Sequence, residues 1–539
     1  MDESQSGAPK QTDGNRSRVS RIAQRAWWLS SVLLLLLLLN LFVILIFNCP
    51  ARPLEISLWY WHSPFRLSHD DSQELRALGV RQLFVRAGTI SASGEGVVTL
   101  VLPQSWQSSP GAPSVVLVFV LDSGVVRHFA QLSNQDMAQC LVGAFCQQQR
   151  AAEKAGLTVG GVQLDFNCAT RLLPKYTTLL HAIRRALPAR TGLSITSLST
   201  WFTSRDLHAL IQEVDFYCPQ FYETQIGRTL LEARPVSDLR ALRNGLAAAH
   251  RLGKPFYAGI PAYGHAFMFD DHSRLLGTYR GMSATDALRH PAFRLAHAWP
   301  ADIAAKPAST QGAWIGEEFA DFIAIHPGVE GKGLGYHLLY SLPTAKMLTV
   351  NLEALRIHRP ANCLGIIIFR SPEPLEIMAL PLPSLSAALK GRVPRPALYV
   401  KVKTTRSPWG MIEGHGEDAA LAVTISLTNT GDAASCFSSD AVTLSLHFDA
   451  PGIEIMPGDF EHIEAFSSDH LRASPARASL LVCTHAHINV GETIILGPIQ
   501  VTGDAHAVHG EWRVKTSGGF ESLTGKVDPV QLRQKDGTP

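Results

Sequence analysis

Eight short apolar runs alternate with helical patterns between Ile56 and Phe369, and this alternation constrains the fold more than any single motif. The runs are Ile56–Trp61, Gln82–Arg86, Ser114–Leu121, Val162–Phe166, Leu193–Leu198, Val214–Pro219, Pro255–Ile260 and Leu364–Phe369. Strands that alternate with helices lie parallel, since each helix carries the chain back to the same end of the sheet. Eight such units over roughly the ~250 residues of a typical barrel, plus an insertion, predict an α/β fold of the (β/α)8 TIM type. Helix signals fill the gaps. Ser133-Asn134-Gln135-Asp136 reads as a capping box opening a helix that ends near Gly156. Tyr176, Leu179, Leu180, Ile183 and Leu187 repeat at helical spacing, and Gly253 stops a helix running from Pro235 to Leu252. The wide interval before the last strand predicts an insertion within 265–360, of the kind that walls a substrate site.

The flanks differ in texture. Residues 1–26 form a basic tail carrying Lys10, Arg16, Arg18, Arg21 and Arg25. The apolar run at 27–47 is long enough, at ~1.5 Å per residue, to cross a ~30 Å hydrocarbon core as a transmembrane helix. The preceding positive charge keeps the tail cytoplasmic and sends the remainder across. The run exceeds the ~7–15 apolar residues of a cleaved signal peptide, so an uncleaved signal anchor is expected. Lipidation at Cys49 is the second choice. The barrel is assigned to 52–392. Arg392-Val393-Pro394-Arg395-Pro396 then reads as a stiff, solvated linker. Alternating strands without helical periodicity predict an all-β, immunoglobulin-like sandwich over 397–527, with a flexible tail at 528–539. Its strands are read at Leu398–Val402, Leu421–Leu427, Val442–Phe448, Ser479–Val482 and Thr493–Val501. Cys436 and Cys483 are the cysteines of this part, and a disulfide or two free buried thiols are both open.

Composition removes several function classes. A formal net charge of +2 provides no electrostatic footprint for nucleic acid. No CxxC pair, Gly-x-Ser-x-Gly elbow or Walker loop occurs, so no cofactor or metal is expected. His265, His272, Asp270 and Asp271 match no metal-ligand spacing and read as a polar loop. His485 and His487 alternate on one strand face and read as solvated.

The chemistry gathers at strand ends. In Gly160-Gly161-Val162-Gln163-Leu164-Asp165-Phe166-Asn167 the polar residues Gln163, Asp165 and Asn167 share one face. Polar groups at the carboxyl end of a barrel strand point into the mouth. Asp165 is therefore the first candidate carboxylate, and Glu223, after strand six, is the second. Asp215 begins its strand, away from the mouth; Asp122 and Glu373 are reserves. Trp59 or Trp61, Trp201, Tyr222 and Tyr263 at four strand ends would supply sugar-stacking faces, with Gln220 beside them. Arg86 ends strand two and Arg370 ends strand eight; either would hold an acidic substrate group or pair with Asp165.

Gly161 to Asn167, Tyr176 with Leu179-Leu180, Leu193 to Leu198 with Trp201, Val214-Asp215 and Phe369-Arg370-Ser371-Pro372 together resemble a bacterial family of exported proteins. It is the domain-of-unknown-function family numbered 3142. The resemblance runs from about Trp59 to Glu373 and leaves the sandwich uncovered. More distantly the chain is similar to chitinase-type (family-eighteen) glycosidases. Those place a row of acids at the end of strand four, a Tyr-acid pair after strand six and a Gly-x-Pro-x-Tyr-Gly turn after strand seven. The counterparts are Gln163, Asp165 and Asn167; Tyr222-Glu223; and Gly259-Ile260-Pro261-Ala262-Tyr263-Gly264. Asn167 stands where both families favour an acid, and an amide donates no proton to a leaving group. The resemblance implies a single-pass protein of the bacterial inner membrane, its bulk periplasmic or extracytoplasmic. It implies a glycoside hydrolase acting on an envelope polysaccharide or exopolysaccharide, with Asp165 and Glu223 as its carboxyl pair. The rival is a glycan-binding or envelope scaffold protein with a degenerate site. A third reading makes the sandwich the working part, docking a cell-wall or secretion partner.

Overall fold

The computed structural model describes Leu35 and residues 53–93, 96–223, 227–299, 317–327, 333–406, 421–451, 453–501, 507–517 and 521–532. The apolar run at 27–47 and Cys49 lie outside the described residues, Leu35 apart. Among the described residues no helix is long and apolar enough to cross a membrane.

Eight parallel strands close into a barrel. They are β1 (Glu55–Tyr60), β2 (Val80–Ala92), β3 (Ser114–Leu121), β4 (Val159–Asp165), β5 (Gly192–Ser197), β6 (Phe216–Pro219), β7 (Phe256–Pro261) and β8 (Cys363–Phe369). Closure comes from β1, which pairs with β8 on one side and β2 on the other. Every strand read from the sequence is present. One is far longer than expected: β2 does not end at Arg86 but runs on to Ala92, where it forms a hairpin with Val98–Val101. Arg86 therefore lies within a strand, at the rim rather than the tip.

The barrel is packed, not hollow. Trp59, Phe84, Val116, Val118, Cys218, Tyr257 and Ile367 fill its interior. Outside, helices cover the alternate strand residues. Asn134–Lys154 is capped by Ser133, whose hydroxyl accepts from the Asp136 N–H, and buries Met137, Leu141 and Phe145. Leu173–Ala186 buries Tyr176, Leu179, Leu180 and Ile183, the stripe expected from spacing. Leu239–Leu252 begins later than Pro235, at the Asp238 cap, and ends on Gly253, whose φ of +70° suits glycine. Gly161 answers to a different demand. A Cβ there would sit 2.5 Å from the Gly192 carbonyl oxygen, so only glycine lets β4 and β5 approach.

The insertion is an antiparallel sheet of five strands: His265–Phe269, Leu275–Tyr279, Phe293–Trp299, Glu318–Ala324 and His337–Leu342. Helix Ala345–His358 then leads into β8.

Beyond Leu398, two antiparallel sheets of four and five strands share one core. Val423, Ile425 and Leu496 come from one sheet; Leu444, Leu446 and Leu481 come from the other. Four of these strands were not visible in the sequence: Ile453–Ile455, His462–Phe466, Ala507–Lys515 and Ser522–Gln531. The last lies at a sheet edge, where Pro529 removes no needed donor, so order continues past Val527 to Gln531. Cys436 and Cys483 are free and buried. His485 and His487 are buried rather than solvated, at 1% and 7% exposure. His485 pairs with Glu461 at 2.9 Å, and burial drives the His487 imidazole down to about 4. The linker is pinned: the Arg395 N–H donates to Asp432 and Arg392 pairs with the same carboxylate. Phe437 is buried in the core of the insertion sheet against Phe322. The described residues from Glu55 onward accordingly form one compact unit.

Candidate active site

Asp165 is the last residue of β4, partly exposed at the barrel mouth. The Thr196 hydroxyl donates to its Oδ1 at 2.8 Å. Burial raises its pKa, and the Thr196 hydrogen bond offsets only part of that rise. Neither arginine expected beside it pairs with it. Arg370 is held by both oxygens of Glu376 and lies 3.3 Å from His62. Arg86 donates to the Thr89 hydroxyl at 2.9 Å.

Glu223 follows β6 in the left-handed region, at φ +50°. Its N–H donates to Val236 at 2.9 Å, and Tyr222 bridges Ser237, so a short extended segment holds both residues. Its side chain is 39% exposed, enough for a ligand to reach it. His265, the first residue of the insertion sheet, places Nδ1 2.9 Å from Glu223 Oε1. Burial alone would raise the Glu223 carboxyl. Hydrogen bonds from His265 and Tyr263, with the charges of His265 and Arg280, hold it below its usual range instead. The two carboxyls thus sit in opposite environments. Both act on Tyr222: burial, then the charges of Cys218, Asp165 and Glu223, push its hydroxyl well above 10.

Aromatic rings converge on Phe369 at the end of β8. Trp59, Trp61, Tyr222 and Tyr263 surround it at centroid distances of 5.8, 5.3, 6.1 and 4.8 Å. Trp61 and Tyr263 remain partly exposed, whereas Tyr222 is 7% exposed. Gln220 is half-buried, its N–H donating to the Ser197 carbonyl at 3.0 Å. Asn167 is exposed beyond the end of β4.

Residues 122–279 match the family model described as a domain of unknown function (DUF3142). The DUF3142 match is narrower than the resemblance seen in the sequence. It contains Asp165, Glu223, Tyr263 and His265, and it omits Trp61, Arg86, Arg280 and Arg370. No curated protein matches the chain. Among solved structures, similarity extends to the spore cortex-lytic enzyme SleL of Bacillus cereus, with a TM-score of 0.40 and 15% identity over 63% of this chain and 74% of that one. A chitinase from Chromobacterium violaceum ATCC 12472 gives 0.37 and 16%, over 62% and 98%. A glycoside hydrolase family 18 N-acetylglucosaminidase from Paenibacillus barengoltzii gives 0.39 and 12%, over 62% and 99%. No residue role is carried over from them.

Two expected binding residues are structural instead. Trp201 is fully buried, and its indole N–H donates to the Cys168 carbonyl at 3.0 Å, which leaves no face for a ligand. Gln163 is fully buried beneath the mouth, its Oε1 accepting from the Trp59 indole at 2.8 Å. The alternation that placed it on the face of Asp165 is correct, but it lies one layer deeper. The reserve acids are also occupied. Asp122 caps helix Ser123–His128, Glu373 pairs with His62 at 2.9 Å, and Asp215 accepts from the Leu193 N–H.

Four residues enter that the sequence did not single out for this site. His265 was read as part of a polar loop, and Phe369 only as a strand residue. Arg280 follows the strand Leu275–Tyr279 of the insertion sheet. Glu317 is 2% exposed and accepts from the N–H groups of Val236 and Ser237 and from the Ser341 hydroxyl. It therefore fixes the segment against which Tyr222 and Glu223 are held.

Proposed function

We propose that the barrel mouth cleaves glycosidic bonds, with Asp165 as proton donor and Glu223 as the ionised carboxylate. The observation that carries this reading is the opposite perturbation of the two carboxyls, both of which act electrostatically on the Tyr222 hydroxyl. Glycoside hydrolysis requires that division: one carboxyl holds a proton for the leaving oxygen while the other stays charged. Burial raises the Asp165 pKa, the direction a proton donor needs, and its Thr196 bond fixes the Oδ1 orientation. His265 and Tyr263 keep Glu223 charged, either to attack the anomeric carbon or to take a proton from the attacking water. Trp61 and Tyr263 supply partly exposed rings for a sugar face. The substrate class is an envelope polysaccharide or exopolysaccharide. The apolar run at 27–47, preceded by basic residues, would tether the barrel to the bacterial inner membrane with its mouth on the extracytoplasmic side.

The full chain in detergent, incubated with such polysaccharides, is expected to release reducing ends. Asp165→Asn and Glu223→Gln should each abolish release while binding persists. Release at the wild-type rate from either variant sinks this assignment. Asn167 favours a second reading, a glycan receptor without catalysis, because an exposed amide occupies the rim of β4. Binding without release, unchanged by both substitutions, would select it.

A further inference from the structure

We propose that the glycan is anionic, and that a carboxylate or sulfate on one of its sugars is held between Arg86 and Arg280. The inference rests on the barrel mouth being the glycan site.

Arg86 reaches the mouth from within the barrel wall. Phe84, two residues earlier on β2, packs in the interior against Trp59 and Phe216. Residues two apart share a strand face, so Arg86 stands on that face one layer nearer the rim. In register it lies beside Val118, which lies beside Gln163, and both of these are interior positions. A half-buried guanidinium ordinarily acquires a carboxylate. Arg370 has Glu376, but Arg86 has only the Thr89 hydroxyl, with no carboxylate oxygen within 4.0 Å among the described residues.

Arg280 arrives from the other wall. Tyr279 pairs with Ala266 across the insertion sheet, so the next residue emerges beside His265, the partner of Glu223. Arg280 is exposed, and it too has no carboxylate within 4.0 Å among the described residues. Burial, then the charge of Arg280, pulls the Arg86 pKa down, so the two cations act on one another across the mouth. Arg280 shares the charge of Glu223, whereas Arg86 has no such partner, so an anion that reaches both guanidiniums would relieve their repulsion. The guanidinium fork suits a planar carboxylate or a sulfate equally. With a net charge of only +2 on the chain, the preference is local to the mouth. An anion there sits beside Glu223, which places the charged sugar next to the ring being cleaved.

The test measures binding of the full chain in detergent to two polymer pairs. One is polygalacturonate against its full methyl ester; the other is dextran sulfate against dextran. The wild type should favour at least one anionic member by about tenfold or more. Arg280→Gln, at an exposed position, should bring that preference close to parity, as should Arg86→Gln. Arg86→Lys, which retains the charge without the fork, should fall between. The responding pair identifies carboxylate or sulfate. Equal binding within both pairs overturns the inference, as does a preference that survives both glutamine variants. If none of the four polymers binds, it is likewise overturned. Release of reducing ends from a neutral glycan, abolished by Asp165→Asn, would then show that the catalytic reading stands without it.

Discussion

His265 Nδ1 lies 2.9 Å from Glu223 Oε1, joining the insertion sheet to the loop that leaves the sixth barrel strand. The insertion is therefore part of the site's electrostatics and not merely a wall beside it. Replacing His265 by Phe keeps a ring against Phe267 but removes the hydrogen bond and the charge. The Glu223 pKa should then rise, and the acid limb of the pH–rate profile should move to higher pH. A limb that stays in place would show that His265 does not tune this carboxylate.

Burial raises the Asp165 pKa, so its charged form costs the fold some stability. Its folded pKa is raised, so the native state keeps a proton that the unfolded chain releases near ~3.9. Stability contributed at this residue is present below that value and is lost as pH rises through the folded pKa. Asp165→Asn retains an Oδ1 acceptor for Thr196 and carries no charge to desolvate. The variant should melt at a higher temperature than wild type near neutral pH, and the gap should close as pH falls toward 3. Thermal melts across that range decide it; a variant less stable at every pH contradicts the assignment.

Glu317 makes a larger demand. It is buried with a pKa of about 7. Between the ordinary glutamate value of ~4.3 and 7, the folded chain binds the proton and the unfolded chain does not. Stability should fall by about 4 kcal/mol as pH rises through that window and then level off. Glu317→Gln should flatten this slope, as followed by urea unfolding at several pH values. An unchanged slope would place the titrating group elsewhere.

Trp59 joins the interior of the barrel to the layer beneath the mouth. Trp59→Phe leaves the buried Gln163 Oε1 without its indole donor. The expected loss is ~1–3 kcal/mol in denaturant unfolding, beyond which some packing against Phe84 is also forfeited. A loss well under 1 kcal/mol would mean that water or a rotated amide replaces the bond.

Much of this architecture was legible from local pattern. Val115, Leu117 and Phe119 sit in an unbroken apolar run because a strand inside a parallel barrel is buried on both faces. Ser133 and Gly253 mark their helix ends through chemistry confined to neighbouring residues. Asp165 stood out because polar residues closing an apolar strand have few places to go. The edge strand Ser522–Gln531 was hidden by its exposed polar residues and Pro529, since an edge needs neither two buried faces nor every backbone donor.

The sequence by itself determined the eight strands, the helices between them, the sandwich and the candidate carboxyl at the end of the fourth strand. All of these follow from periodicity and from residues within a few positions of one another. The tertiary structure alone decided that Trp201 and Gln163 are buried, that Glu376 takes Arg370, and that His265 holds Glu223. It also decided that Arg280 emerges beside His265. Each of those outcomes depends on which distant side chain arrives first, and long-range distance leaves no periodic trace along a chain.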